Sequence, residues 1–258
     1  MLYDSPRTYE LLFADRRDDV EYYRALAQGR ASVLEYGVGT GRVAIPVARG
    51  GAAVTGVDLS APMLATLRAH LAREAPEVRA RVAAYEGDMR GWRTDARFDL
   101  VTCPFNGIAH LHTRDDFARF FARVRAHLAP GGIFAFDAWL PDPSLLRGTS
   151  MESPRFTHPD TGEAVTLREE FDYDPYAQLL SVRITLTPVL RPAAREVRTI
   201  TQRQLFPEET LAMLDAHGFE VRHRTSAFRP PTDLSRARIE LEPGDGRGEL
   251  LAYVCVAR

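Results

Sequence analysis

The stretch Val33-Leu34-Glu35-Tyr36-Gly37-Val38-Gly39-Thr40-Gly41-Arg42-Val43 leaves few options for the fold around it. It reads as a short buried strand, a glycine turn and the opening of a helix over Arg42 to Arg49. Glycine accepts positive φ and lets a ligand lie against bare backbone. The helix that follows points free N–H groups at whatever sits on the turn. Glu35 falls two residues before Gly37, at the strand's carboxyl end, the edge where open α/β sheets bind ligands. A dinucleotide fingerprint would need glycine or alanine at the position held by Arg42, and it is absent. The pattern is Glu-x-Gly-x-Gly-x-Gly, and a tight connection with no ligand stays open for the turn taken alone.

Strands and helices then alternate. Ala31 to Tyr36 is strand one and Ala52 to Val57 is strand two, ending at Asp58. Ala61 to Arg73 is helical, with Met63, Leu64, Leu67 and Leu71 on one face. Ala80 to Tyr85 is strand three and Phe98 to Cys103 strand four. The helix Asp115 to Leu128 turns Phe117, Phe120, Phe121, Val124 and Leu128 inward. Pro130-Gly131-Gly132 is a turn, and Ile133 to Phe136 is strand five. Five alternations with short connections predict an α/β, doubly wound, mostly parallel sheet. The glycine turn, Asp58, Asp88, Asn106 and Asp137 all fall at carboxyl ends of strands and so meet along one edge.

The pattern breaks after Asp137. Pro141 to Pro154 is a loop. Ala164 to Tyr173, Gln178 to Leu190 and Arg195 to Leu205 read as strands without intervening helices, with Asp174-Pro175-Tyr176 as a hairpin turn. A helix over Pro207 to Ala216 and strands Phe219 to Arg224 and Leu250 to Ala257 complete the layout. Between those strands Pro230 to Gly248 is a charged loop. The expected organisation is a cap segment at 1–30, a core at 31–140, an antiparallel β insertion serving as substrate lid at 141–206, and the rest of the core sheet at 207–258. In the cap, Asp15 to Ala27 is predicted helical, with Val20, Tyr23, Ala27 and Arg24 on one side. Tyr3 or Tyr9 closes on a ligand, or the aromatics of this segment only pack it onto the sheet.

Composition narrows the chemistry. The 258 residues carry a net charge of −2 and a pI near 6.4, with no basic surplus for nucleic acid or an anionic membrane. All 33 basic residues are arginine, which excludes a lysine Schiff base and the lysine of a phosphate-binding P-loop. No apolar run approaches the roughly 20 residues of a membrane span, and Met1 to Glu10 has no apolar signal core. Cys103 and Cys255 read as core residues. The expectation is a cytoplasmic protein, with a homodimer among the open options.

Asp58 lies about 20 residues beyond the turn, the place for a carboxylate that takes both hydroxyls of a ribose. The alternative is a turn-starting Asp58, with Ser60 capping the next helix. Glu86-Gly87-Asp88-Met89 suits an adenine, the carboxylate accepting from the exocyclic amine and the thioether packing on the ring; an ordinary polar loop is the other reading. With these pieces named, the chain resembles the class I S-adenosylmethionine-dependent methyltransferases. Glu35-x-Gly37-x-Gly39-x-Gly41, Val57-Asp58-Leu59-Ser60-x-x-Met63-Leu64, Glu86-Gly87-Asp88-Met89 and Leu128-x-Pro130-Gly131-Gly132 match the family's motifs in order. The resemblance is close over Ala31 to Asp137 and looser beyond.

The resemblance implies a seven-stranded Rossmann-like sheet with S-adenosyl-L-methionine as cofactor. Gly37, Gly39 and Gly41 would hold the methionine portion, Asp58 the ribose, and Asp88 with Met89 the adenine. Tyr9, Glu35, Leu59, Met63, Phe105 and Asn106 complete the expected cofactor set. Phe105-Asn106-x-x-x-His110-Leu111 and the insertion are similar to small-molecule enzymes, including amino-sugar and amine N-methyltransferases. The implied reaction is in-line attack of a substrate N or O on the sulfonium methyl. His110 is the first candidate base and Asp137 the second; a pocket-wall histidine is the competing reading of His110. Tyr3, His110 and Trp139 are the candidate substrate contacts. His110 and His112 form a His-x-His pair without a carboxylate at ligand spacing, so no metal is expected. A nicotinamide-dependent oxidoreductase, and a non-catalytic nucleoside-binding module, are the alternatives on the same sheet.

Overall fold

Short runs rich in Val, Ala and Leu, each too brief for a helix to bury, line up as the parallel strands of the main sheet. In the computed structural model, which describes residues 1–13, 16–153, 155–158, 161–235, 238–240 and 250–258, these are β1 (Ser32–Tyr36), β2 (Ala53–Asp58), β3 (Val82–Glu86), β4 (Phe98–Cys103) and β5 (Leu128–Trp139). The helices are α1 (Pro6–Phe13), α2 (Asp18–Ala27), α3 (Ala44–Arg49), α4 (Ala61–Leu71), α5 (Pro76–Arg79), α6 (Arg114–His127) and α7 (Pro207–Ala216). The insertion contributes β6 (Ser150–Glu152), β7 (Phe156–Thr157), β8 (Ala164–Asp174), β9 (Leu179–Pro188) and β10 (Glu196–Arg203). The chain then returns through β11 (Phe219–Thr225), β12 (Arg238–Glu240) and β13 (Leu250–Ala257).

The main sheet has the order β12-β11-β13-β5-β4-β1-β2-β3. β13 is antiparallel to both β5 and β11, and the five strands from β5 to β3 are parallel. The seven expected strands are joined at one edge by the three residues of β12. The order reverses between β1 and β4, and a crevice at that reversal is where such sheets take ligands. β6, β8, β9 and β10 form a second, antiparallel sheet in the order β10-β9-β8-β6, with β7 beside β8.

Both faces of the main sheet are covered, as parallel strands require. On one side Val20, Tyr23 and Leu26 of α2, Val47 of α3 and Leu64 and Leu67 of α4 pack on Val33, Val54 and Leu100. On the other, Phe117, Phe120, Phe121 and Val124 of α6 and Leu214 of α7 pack on Leu34, Val101, Phe134 and Tyr253. Emptying the fully buried Phe120 site to alanine is a change in the range of about 3–5 kcal/mol. Tyr36, directly below the glycine turn, hydrogen-bonds through its hydroxyl to Nδ1 of His127 at 2.8 Å.

Several elements depart from expectation. α1 was not anticipated. α2 begins at Asp18; the expected start at Asp15 lies outside the described residues. Its buried side is Val20, Tyr22, Tyr23, Leu26 and Ala27, while Arg24 is exposed and pairs with Glu21 at 2.8 Å, so Arg24 does not join the buried side. Pro130-Gly131-Gly132 sits inside β5. There the register jumps from Phe98↔Leu128 to Leu100↔Ile133, with Gly131 at φ +76°, so the turn is a local bulge of a continuing strand. The loop after β5 contains a 3-10 turn at Leu145–Arg147 and β6. The expected Pro230 to Gly248 loop lies largely outside the described residues.

Candidate functional site

The three glycines of the turn have different duties. All take positive φ, at +69° for Gly37, +54° for Gly39 and +87° for Gly41. A Cβ on Gly37 would meet nothing within 4 Å, whereas one on Gly41 would lie 2.3 Å from Leu67 Cδ1. Gly41 is glycine so that α4 can pack against the turn, and Gly37 leaves backbone bare toward open space. The N–H groups of Gly37 and Val38 donate to Val57 O at 2.8 and 3.1 Å, tying the turn to β2.

Beneath it stands Glu35, 2% exposed, with no hydrogen-bond partner for Oε2. Burial pushes its carboxyl up to about 8, against the pull of Arg42 and with the help of Asp58 and Asp19. A deep carboxylate with an unanswered oxygen is costly unless something cationic or hydrogen-bonding arrives.

Asp58, at the tip of β2, accepts from Gly39 N–H at 2.7 Å through Oδ2 and from Ser60 N–H at 2.8 Å through Oδ1. Ser60 caps α4, and its hydroxyl also donates to Tyr3 O at 2.8 Å. The carboxylate therefore fixes the turn and the start of α4. Its pKa is raised by burial against three backbone donors. Asp58 and Glu86 are register partners, and Gly87 N–H donates to Asp58 O at 2.9 Å, so Asp88 lies on the same rim. Leu59 between them is 70% exposed, an apolar side chain open to a flat ring. Asp88 itself is clasped by Arg90, with Nη2 at 2.6 Å from Oδ2, and Arg90 reaches Asp116 at 2.5 Å. Arg90 holds the Asp88 carboxyl below the usual range. Met89 packs against the α6-side core with Trp92.

Past β4 the backbone does something costly. Phe105 and Asn106 sit consecutively at φ +55° and +57°, a left-handed pair without glycine. One group holds them there. Asp137, with 0% exposure, accepts from Phe105 N–H at 2.8 Å, from Asn106 N–H at 2.7 Å and from the Tyr23 hydroxyl at 2.7 Å. Asn106 in turn accepts from Trp139 N–H at 3.1 Å. Burial raises the Asp137 carboxyl to about 6. Asp137, expected as a second candidate base, takes two internal donors on Oδ2 and one on Oδ1, a geometry that positions the loop. Asn106, expected at the cofactor, likewise clamps the β4 tip to the β5 tip.

The ring so positioned, Phe105, meets Phe13 at 4.8 Å and Tyr9 at 6.1 Å between centroids. Arg42 stacks on it at 4.8 Å, and Arg16 stacks on Trp139 at 4.6 Å. Arg42 forks onto Asp19 of α2 with bonds of 2.7 and 2.5 Å. That pairing went unforeseen; its only sequence trace is a bulky cation where a dinucleotide fold keeps glycine. Tyr9 hydrogen-bonds Arg42, and burial raises its hydroxyl to about 12. Tyr3 and His110 meet at 2.7 Å, hydroxyl to Nε2, with rings edge-on at 5.2 Å. Burial, then His112, pushes His110 down to about 4. His112 Nε2 reaches Thr201 O of β10 at 3.1 Å. Among the described residues no group of three His, Cys, Asp or Glu side chains is placed to hold a metal. Tyr9, Met63, Leu180, Val182 and Ile184, with Tyr3, Phe13 and Phe105, form one apolar cluster that roofs the strand tips. Two clefts of about 520 and 480 Å³ flank α3 on the outer side of the turn. They lack these carboxylates, and the strand-tip crevice is the site its chemistry favours.

The family model for a methyltransferase domain matches residues 33–132, the stretch that carries every glycine and carboxylate of this rim up to β5. By that match residues 33–132 are a methyltransferase domain. The dTDP-3-amino-3,6-dideoxy-alpha-D-glucopyranose N,N-dimethyltransferase of Streptomyces fradiae is 34% identical over 109 residues, 42% of this chain and 40% of that protein. The curated relatives are matched over only 40% to 50% of their own lengths. Solved structures extend the likeness. The CcbJ methyltransferase from Streptomyces caelestis has 28% identity and a TM-score of 0.74, covering 93% of this chain and 88% of that one. The glycopeptide N-methyltransferase MtfA, in complex with S-adenosylmethionine, shares the fold at 24% identity and a TM-score of 0.61, over 95% and 96% of the two chains.

The methyltransferase domain fits the cofactor of its class on its own atoms. The orphan Oε2 of Glu35 asks for a donor, Gly37 leaves room above it, and the exposed Leu59 lines the rim beside Asp58. Among the described residues no helix is long and apolar enough to cross a membrane.

Proposed function

We propose that the protein transfers the methyl group of S-adenosylmethionine to a nitrogen or oxygen of a small-molecule acceptor. The observation that carries this is the unanswered carboxylate oxygen of Glu35 under the bare backbone of Gly37. In this reading Glu35 and the turn hold the methionine end, Asp58 the ribose hydroxyls, and the rim at Leu59 and Asp88 the adenine. When bound, the cofactor supplies an already activated methyl. The chain's task is alignment and exclusion of water, which are worth roughly 7–11 kcal/mol of a barrier. Phe105, pinned by Asp137, and Tyr9 wall the transfer space. The insertion sheet and the segment 1–13 act as lid and cap, and Trp139 and Tyr3 face the acceptor.

His110 bears on the choice between N and O. With its pKa near 4 the imidazole is neutral at physiological pH and is a weak base. A hydroxyl needs a stronger one as it attacks. An amine attacks with its own lone pair and only has to shed a proton. The weak base therefore favours nitrogen, in keeping with the N-methyltransferase and N,N-dimethyltransferase names of several relatives.

Calorimetry of the full chain with S-adenosylhomocysteine tests the reading. Micromolar binding is expected, weakened at least about tenfold in Asp58→Ala, since a carboxylate taking two hydroxyls makes charge-assisted bonds. The absence of both heat and a thermal shift with the wild-type chain would overturn it.

A further inference from the structure

One lid carboxylate stands on the apolar face with no partner among the described residues. β8 alternates as a strand must. Arg168, Glu170 and Asp172 point one way, where Arg168 pairs with Glu152 at 3.1 Å and Glu170 at 3.7 Å. Leu167, Phe171 and Tyr173 point the other way and join the apolar cluster with Tyr9, Met63 and Phe105. Glu169 belongs to this second set. Its register partners are Ile184 of β9, a member of the same cluster, and Met151 of β6. The lid's other glutamates each have an arginine: Glu152 and Glu170 have Arg168, Glu163 has Arg191 at 2.5 Å, and Glu196 has Arg198 at 3.1 Å. Arg198, on the same row beyond Ile184, turns Nη2 to Glu196 and Nη1 to Val197 O, both at 3.1 Å, and leaves its buried Nε unanswered. Among the described residues Glu169 has no partner at all. Burial alone raises its carboxyl.

An unpaired, partly desolvated carboxylate on an apolar face lowers stability, and a lid that keeps one has a use for it. We propose that Glu169 is a specificity contact that reads a positive charge, a protonated amine or a guanidinium, on the methyl acceptor. This rests on the methyl-transfer reading above and adds the charge class of the acceptor and the lid residue that selects it.

The test uses the full chain saturated with S-adenosylhomocysteine. A panel of amino sugars and amino-acid amides is titrated onto it, each beside its neutral hydroxyl counterpart, and turnover with S-adenosylmethionine is measured in parallel. Saturable binding confined to the amines is expected, weakened at least about tenfold by Glu169→Gln, with the affinity for S-adenosylhomocysteine unchanged. Free of ligand, Glu169→Gln is also expected to unfold at a higher temperature than wild type, because it removes an uncompensated charge. Equal affinity for the neutral counterparts, no binding by any amine, an effect of Glu169→Gln under about twofold, or a lower unfolding temperature each overturns the proposal. Loss of S-adenosylhomocysteine binding by the wild-type chain is instead a failure of the methyl-donor reading, so the two are told apart in one set of samples.

Discussion

Replacing Glu35 by glutamine keeps the shape of the side chain and removes its titration. In the fold the carboxyl ionises at about 8 against an ordinary value of 4.5. A raised pKa means that the folded chain holds a proton the unfolded chain has released. The corresponding stability is complete below about pH 4.5 and is lost as pH climbs through about 8. At pH 7 the loss amounts to about 3 kcal/mol, and beyond pH 8 it approaches about 5 kcal/mol, at about 1.4 kcal/mol per pKa unit. Glutamine has no such slope. Thermal unfolding of the two ligand-free proteins, followed by circular dichroism, is expected to give similar midpoints at about pH 5 and a glutamine variant more stable by on the order of 10 °C at about pH 8.5. Saturating S-adenosylhomocysteine is expected to narrow that gap, because the ligand answers the orphan oxygen in wild type only. A difference between the two proteins that stays constant across this range refutes the reasoning, since it would mean that Glu35 is ionised throughout or finds an internal partner.

Asp137→Asn must set an amide N–H₂ against backbone donors that now share a carboxylate, and a loss of about 3–5 kcal/mol in urea unfolding is expected, with weakened S-adenosylhomocysteine binding as the Phe105–Asn106 bend relaxes. Gly41→Ala drives a Cβ to 2.3 Å from Leu67 Cδ1 and is expected to lower stability by about 2–4 kcal/mol, whereas Gly37→Ala, with nothing within 4 Å, costs about 1–2 kcal/mol yet blocks ligand binding; unfolding and calorimetry together separate the two. With His110 neutral down to about pH 4, kcat is expected to show no ionisation near 6.5, and a clear limb there, abolished in His110→Gln, would contradict the buried, Tyr3-bonded imidazole.

The sequence announced what local chemistry decides. Pro207 at the first turn and Gly218 just past the end bracket α7, and its observed bounds, Pro207–Ala216, are those expected. β4 and β13 likewise fall where their apolar runs begin and end. The rim was legible because glycine spacing and strand ends are both written along the chain. Much of what escaped was settled across long distances. The Arg42–Asp19 fork joins residues 23 apart, and the Asp137–Tyr23 bond joins residues 114 apart. Asp137 carried the sequence marks of a reactive acid, a carboxylate at a strand tip; only burial and its three donors reveal a structural one. Arg90's grip on Asp88 could not be told from an ordinary polar loop. Glu169 was hidden in the run Arg168-Glu169-Glu170, where only the pairing of β8 shows which side each charge takes.

The Asp137 carboxylate has a mechanical consequence. It is a single rivet through three pieces: the helix of the cap, by Tyr23; the bend after β4, by two amides; and the tip of β5, which carries it. The cap therefore cannot swing on that helix without tugging the aromatic wall at Phe105. Admission of a guest and the shaping of its chamber become one coupled movement.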